Sequence, residues 1–169
     1  MTECTIRPAN ADDLAGITEI YNQAIINTVA TFDTEPKTPE EQRVWFNEHG
    51  DKYPILVAEQ LGAIVGWASL SEWSDRRAYS DTAEISLYVA ESHRGKGIGR
   101  KLSEVVIKAG REAGLHTLIA RIAEGNASSI HIAESQGFEH IGIMREVGYK
   151  FGKLIDVYLM QILLDRSTG

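Results

Sequence analysis

The sequence predicts one α/β domain of the α+β type, a mixed sheet covered by helices. Strand-like apolar runs alternate with segments of helical spacing along all 169 residues, and no Pro-, Gly- or Ser-rich stretch is long enough to act as a linker. A strand that runs straight into a glycine-rich turn and a helix, Ile85 to Leu102, supports the same class.

Residues 3 to 7 alternate polar and apolar as a short strand. Asn10 caps a helix whose Leu14, Ile17, Tyr21, Ala24, Ile25 and Thr28 fall at helical spacing, ending near Thr28. Thr38 as N-cap, Pro39 at the first helical position and Glu41 as the acid of a capping box open a second helix. Ile55 to Glu59 and Ala63 to Leu70 are apolar runs split by Gln60-Leu61-Gly62, a hairpin signal. Residues 71 to 80 break the periodicity and read as an exposed loop. Thr82 to Val89 alternates, with Ile85, Leu87 and Val89 on one face and Glu84, Ser86 and Tyr88 on the other. The glycine turn at 95 to 99 opens a helix to about Ala113. A strand from His116 to Ala123 and a helix from Ser128 to Gln136, closed by Gly137, follow. Segments 138 to 147 and 154 to 164 read as a strand pair joined by Gly148 to Lys153. Trp45, Phe46 and Trp67, set among apolar neighbours, are expected in the core.

With 43% hydrophobic and 24% charged residues the composition is that of a globular protein. At this length folding buries about 70% of the unfolded surface, without help from disulfides or a structural metal. The net charge of −7 argues against nucleic acid or an anionic membrane as partner. A single cysteine, Cys4, excludes an internal disulfide and any zinc site of paired thiolates. His49, His93, His116, His131 and His140 form no metal-ligand motif, and no G-x-S-x-G elbow occurs, so neither a metal nor a covalent nucleophile is expected. The N-terminus lacks signal-peptide character and no apolar run approaches the roughly 18 residues of a membrane span, so the expected address is the cytoplasm.

The most specific feature is the turn Arg94-Gly95-Lys96-Gly97-Ile98-Gly99 after the strand ending in Tyr88-Val89. Alternate glycines let backbone N–H groups approach a ligand, and the following helix offers its free amides and positive dipole end, a site for phosphate. From Glu91 to Arg111 six Lys or Arg face two Glu, a local +4 that leaves −11 on the rest of the chain. A P-loop requires Lys-Ser or Lys-Thr after the last glycine, where Arg100 stands, and a dinucleotide fingerprint requires glycine at Arg100. The pattern instead resembles the acetyl-CoA signature of the GNAT superfamily of N-acetyltransferases, with Arg94 as its leading residue. The resemblance covers nearly the whole chain: Ile6-Arg7-Pro8-Ala9 with Asp12-Asp13, and Asn126 ahead of a helix ending in Gln136-Gly137-Phe138, are similar to that family. Thr31 to Pro36, Arg76-Arg77-Ala78-Tyr79, and Gly148 to Gly152 with Asp156-Val157 are similar to its phosphinothricin branch.

The resemblance implies a mostly antiparallel sheet of about six to seven strands, acetyl-CoA as co-substrate, no metal, and often a homodimer. It implies acetylation of the α-amine of methionine sulfone, methionine sulfoximine or phosphinothricin. Glu84 matches the acidic strand residue and would be general base, directly or through water; the competing reading is a solvated residue on a polar face. Val89 would offer its backbone N–H to the oxyanion. Cofactor contacts are implied at Leu87, Tyr88, Val89, Arg94, Gly95, Lys96, Gly97, Ile98, Gly99, Arg100, Lys101, Asn126 and Ser129. For the acceptor, Arg76 and Arg77 would hold an oxyanion between Trp73, Asp75 and Tyr79, with Phe32 and Glu35 closing the other side. One departure stands out: where this branch often carries His as a general acid, the chain has Ala133. His131 reads as a surface residue, and Tyr149 is a second candidate for the acid or for acceptor contact. Other amines as acceptors, or a noncatalytic acyl-CoA-binding module, are the alternatives.

Overall fold

The structure, a computed structural model, describes residues 2–164. Seven strands and four longer helices follow one another as β1 (Thr5–Pro8), α1 (Leu14–Asn27), α2 (Pro39–Asn47), β2 (Ile55–Gln60), β3 (Ala63–Glu72), β4 (Thr82–Val89), α3 (Ile98–Glu112), β5 (Thr117–Ala123), α4 (Ala127–Ser135), β6 (Glu139–Lys150) and β7 (Lys153–Leu163). The strands form one sheet in the order β1-β2-β3-β4-β5-β7-β6, antiparallel at every step except β4 beside β5. No helix among the described residues is long and apolar enough to cross a membrane.

Local chemistry explains the element starts. The Thr38 hydroxyl accepts the Glu41 N–H at 3.2 Å while the Glu41 carboxylate accepts the Thr38 N–H at 2.8 Å, the expected capping box. Asn10 caps a single 3₁₀ turn, Ala11–Asp13, that leads into α1. Arg7 grips both Asp13 oxygens, at 2.8 and 2.9 Å, and Glu59 at 3.0 Å, tying β1 to α1 and β2. That grip holds the Asp13 carboxyl below its ordinary range against the opposing effect of burial.

Two expected boundaries shift. Ser71 and Glu72 belong to β3, because they pair with Glu84 and Ala83 of β4, and Arg77–Tyr79 forms a short 3₁₀ turn within the remaining loop. Gly148, Tyr149 and Lys150 are strand rather than connection, since β6 and β7 keep pairing up to Lys150↔Lys153, and only Phe151 and Gly152 turn. Bulges at His140/Gly142 and Met144/Gly148 let β6 bend away from a flat sheet.

The alternation of β3 and β4 splits the core between two faces. On one, Ala68, Leu70, Ala83, Ile85 and Leu87 pack against Ile98, Leu102, Val106 and Ile107 of α3 and Ala133 of α4. On the other, Val57 and Trp67 pack against Leu14, Ile17, Ile20 and Tyr21 of α1, with Trp45 and Phe46 of α2 partly buried beside them. Trp67 is therefore core as expected, whereas Trp45 and Phe46 sit at its margin.

α3 lies close enough to the sheet that a Cβ on Gly110 would stand 2.6 Å from Cδ1 of Leu70, a fully buried side chain with no room to swing. Gly110→Ala sets about 1 kcal/mol of helix propensity in favour of alanine against an overpacking cost of about 1–3 kcal/mol, so the melting temperature should fall; a rise would show that the layer has slack.

Candidate active site

β4 and β5 are hydrogen-bonded neighbours only from Thr82↔Thr117 to Glu84↔Ile119. Beyond that point β4 stays with β3 as far as Gly66↔Val89, and β5 stays with β7 as far as Ala123↔Val157, so the two strands diverge. The backbone parity of β4 is set by its ends. The Ala90 N–H donates to Val65 and the Thr82 carbonyl accepts from Trp73, so even-numbered residues turn their backbone toward β3. Leu87 therefore presents its N–H and C=O to the divergence, and Val89 its N–H. The divergence opens into a groove of about 1140 Å³ that passes through the sheet. It is lined on the α3 and α4 side by Arg94, Gly95, Gly97, Asn126 and Ser129, and on the α1 side by Thr31, Phe32 and Asp33.

At the first end, Gly95 and Gly97 adopt φ of 75° and 82°, the left-handed region that folds the turn back beneath the N-terminus of α3. Gly99 serves a different purpose: a Cβ there would lie 3.1 Å from Ile132 of α4, so this glycine sets how closely the two helices approach. The start of α3, whose first amides have no partner within the helix, borders the groove, with Arg94 and Arg100 on its lining. The Arg94 Nε donates to the Val89 carbonyl at 3.2 Å, which fixes the turn to the end of β4. Lys101 instead reaches the Cys4 carbonyl at 3.0 Å, and Lys96 sits exposed at the tip of the turn. Asn126 caps α4, accepting the Ser129 N–H at 3.4 Å. These groups fit the phosphates and extended arm of a coenzyme.

At the other end the groove meets charge. Glu84, on the last paired residue of β4, takes a bidentate pair from Arg121 of β5: Nε to Oε2, and a second nitrogen to Oε1 at 2.8 Å. This pairing raises the Arg121 guanidinium, which also lies 5.6 Å over the Trp73 ring. Opposite, the Tyr21 hydroxyl donates to Asp33 and shares a hydrogen bond of 2.9 Å with Thr31, while Tyr88 donates to the Ala30 carbonyl at 3.2 Å. Burial is the main reason that both tyrosines titrate above their ordinary value, Tyr88 at about 12. The 28–33 segment is secured from outside as well. The buried Lys150 donates to the Thr28 and Thr31 carbonyls, each at 2.8 Å, and burial lowers its ammonium below the usual lysine range.

Comparison with known proteins agrees with this geometry. The acetyltransferase (GNAT) domain family matches residues 6–159. The chain belongs to the GNAT acetyltransferases. As such it is an acyltransferase that draws on acetyl-CoA. It is 40% identical to the L-methionine sulfoximine/L-methionine sulfone acetyltransferase of Pseudomonas aeruginosa, over 98% of this chain and 97% of that one. With the phosphinothricin N-acetyltransferase of Streptomyces coelicolor it shares 38% over 92% and 93%. The crystal structure of a GNAT phosphinothricin acetyltransferase from Sinorhizobium meliloti in complex with acetyl-CoA superposes with a TM-score of 0.93, at 36% identity, covering 98% of this chain and 90% of that one.

In this acetyltransferase the groove gathers Glu84, Leu87, Tyr88, Val89, Arg94, Gly95, Gly97, Ile98, Gly99, Arg100, Asn126, Ser129 and Phe32 from the sequence-derived set. Lys96, Lys101, Glu35, Trp73, Asp75, Arg76, Arg77 and Tyr79 lie off its lining; of the last five, Trp73 reaches it through Arg121. Ala133 is on the lining, at the position where the branch often has histidine, and His131 lines the groove while remaining exposed. Tyr149 is 70% exposed on the outer hairpin, away from the groove. Sequence reasoning missed Arg121 and Lys150. Arg121 carried a signal, a lone charge inside the apolar run Leu118-Ile119-Ala120-Arg121-Ile122-Ala123. Lys150 carried none, because its partners are carbonyls far away in the chain.

Lys150→Met removes both clasps on the 28–31 segment while keeping the length of the side chain. The expected result is a KM for the acceptor raised roughly tenfold with little change in KM for acetyl-CoA, read from steady-state kinetics with each substrate varied. Equal changes in both constants would mean that Lys150 supports the fold as a whole.

Proposed function

We propose that the chain transfers acetyl directly from acetyl-CoA to the α-amine of small amino acid analogues, of the methionine sulfone, methionine sulfoximine and phosphinothricin type, in the cytoplasm. One observation carries this: the β4–β5 divergence joins a glycine-lined helix N-terminus to the Glu84 carboxylate across the thickness of the sheet. The names of the relatives support the acceptor class.

Phosphates of the coenzyme rest on the amides of Gly95 to Gly99 with Arg94 and Arg100 beside them. The pantetheine arm lies against the gap-facing backbone of Leu87 and Val89, in the manner of an added strand. Transfer forms a C–N bond and breaks the C–S bond, and the amine must first lose a proton. An α-ammonium with pKa of about 8 is mostly protonated at neutral pH, so a base is needed. Glu84 takes the proton through a bridging water, since Arg121 occupies only part of the lone-pair capacity of the carboxylate. Arg121, beside it, offers the acceptor's α-carboxylate a guanidinium fork, so the pair complements an amino acid zwitterion. The Val89 N–H donates to the acetyl oxygen as charge gathers there. The leaving thiolate, from a thiol of pKa about 8.5, takes its proton from solvent.

Thiol release on mixing the protein with acetyl-CoA and methionine sulfone, phosphinothricin, a peptide or a polyamine tests the reading. Release with no acceptor in the panel would favour a binding module, and a preference for the peptide would favour a different amine. Glu84→Gln should lower kcat by roughly 10² to 10⁴ with acetyl-CoA affinity kept; an unchanged rate and pH profile would remove Glu84 as base.

We also propose a homodimer. Ile141, Ile143, Val147, Phe151 and Leu154 leave exposed apolar side chains on the β6–β7 hairpin, a surface a second copy could cover. Sedimentation should give twice the chain mass of 18.7 kDa, and a monomer at micromolar concentration would refute it.

A further inference from the structure

Just past the C-terminus of α2 stands a histidine with both ring nitrogens engaged. His49 Nδ1 lies 2.7 Å from the Trp45 carbonyl, and Nε2 lies 3.0 Å from the Ser71 hydroxyl. A carbonyl only accepts, so Nδ1 carries the ring hydrogen, and the neutral ring accepts the Ser71 O–H at Nε2. A hydroxyl bonded to an imidazole that a third group holds in place is a pair built to move a proton. The Trp45 carbonyl is one of the last four of α2, the end of a helix at which a positive charge is well placed.

Strand register brings this pair to the proposed base. Ser71 stands directly opposite Glu84 in the β3–β4 ladder, so the two side chains share a face of the sheet, with Cβ atoms about 5 Å apart. Over that spacing the Ser71 oxygen and the Glu84 carboxylate meet directly or through one water. Arg121 engages Glu84 from the β5 side, and Ser71 flanks it from the β3 side. The carboxylate thus sits between a fixed cation and a hydroxyl–imidazole pair. Ser71 and His49 both lie off the groove lining, so an acceptor in the groove communicates with them through Glu84.

The energetics give the pair a task. An α-ammonium of pKa about 8 yields its proton to a carboxylate of about 4.3 against roughly four pKa units, and to an imidazole of about 6.5 against roughly one and a half. A proton that moves on from a carboxylic acid to an imidazole is therefore favoured about a hundredfold. Direct escape to water is restricted, because the Glu84 side chain is 21% exposed and an acceptor beside it covers it further.

Resting on the reading of Glu84 as the base, we propose that Ser71 and His49 relay the acceptor's proton onward. Glu84 takes the proton from the ammonium. The new Glu84 O–H then gives its proton to Ser71 Oγ, directly or through one water, while the Ser71 O–H bond breaks toward His49 Nε2. The carboxylate and the hydroxyl are both restored, and the half-buried imidazolium passes the proton to solvent.

The test measures kcat and both KM values, with acetyl-CoA and the preferred amine of the acceptor panel, in the wild type, His49→Gln, Ser71→Ala and the double variant. His49→Gln keeps a polar group beside Ser71 but cannot take up a proton. Each single variant should lower kcat roughly tenfold with KM for acetyl-CoA unchanged, and the double variant should be no slower than either, as for groups that act in series. In His49→Ala, added imidazole and its methylated derivatives should restore kcat, the more so the more basic the imidazole, which a side chain that only packs would not show. Ser71→Ala reports independently if the His49 variants are unstable. A wild-type kcat in His49→Gln, additive effects in the double variant, or rescue indifferent to basicity would each overturn the relay, and a slow Glu84→Gln beside them would leave Glu84 as base. A Glu84→Gln enzyme as fast as the wild type, or a wild type that acetylates no amine, removes the base and the relay together.

Discussion

The parallel pairing of β4 with β5 ends at Glu84↔Ile119 because each strand then follows a different antiparallel partner, β3 for one and β7 for the other. Most of the site follows from this constraint. A sheet that stayed closed would bury the N–H and C=O of Leu87 and the N–H of Val89 in a ladder; the divergence leaves them facing the groove instead. It also pierces the sheet, so reactants can arrive from opposite faces and meet at its edge. The glycine turn belongs to one face and the Glu84–Arg121 pair to the other, and β4 carries a residue of each at alternate positions. The two-residue period of a strand thus separates the glycine-lined end of the groove from its charged end.

Holding such an opening requires stiffness around it. On the α3 side this comes from apolar layering, with Leu102 and Val106 fully buried against β3 and β4. On the α1 side it comes from polar ties to the loop after α1: Tyr21 to Thr31 and Asp33, Tyr88 to Ala30, and Lys150 to Thr28 and Thr31. The Phe32 ring within that loop lies so close to Gly148 that a Cβ there would be 2.2 Å from it, which explains a glycine in the middle of a strand. The Tyr88 and Lys150 ties join segments remote in sequence, and with those of Tyr21 they give an irregular segment the fixed shape of a pocket wall.

Much of the fold was legible because its signals are local. The Thr38 capping box, the alternation of Thr82 to Val89 and the turn from Gly95 to Gly99 each rest on neighbours within one or two turns of chain, and all three occur as read. The glycine-lined end of the groove was legible for the same reason, since a strand, a turn and a helix N-terminus make it. The other end is assembled from α1, the 28–33 loop, β4 and β5, and its pairings depend on register between strands. Periodicity puts Glu84 on a polar face, but only the β4–β5 register brings Arg121 to it, a partner the sequence reading did not name. The Arg76-Arg77 loop shows the converse. Its composition suits oxyanion binding, yet the folded chain links it to the groove through Trp73 stacking on Arg121.

Ala133 tests whether the reaction needs an acid from the protein. It is buried in the core cluster between α3, α4 and the sheet while also reaching the groove lining. An imidazole there would have to displace apolar neighbours or project into the passage between the helices. The chemistry does not demand one, because a thiol of pKa about 8.5 is a sufficiently stable leaving anion near neutral pH. The harder proton is the one on the acceptor, whose ammonium has no nucleophilic lone pair until it is deprotonated. Glu84 and Arg121 pair at one end of the groove, whereas Gly97, Gly99 and Ala133 lie on its α3 and α4 side.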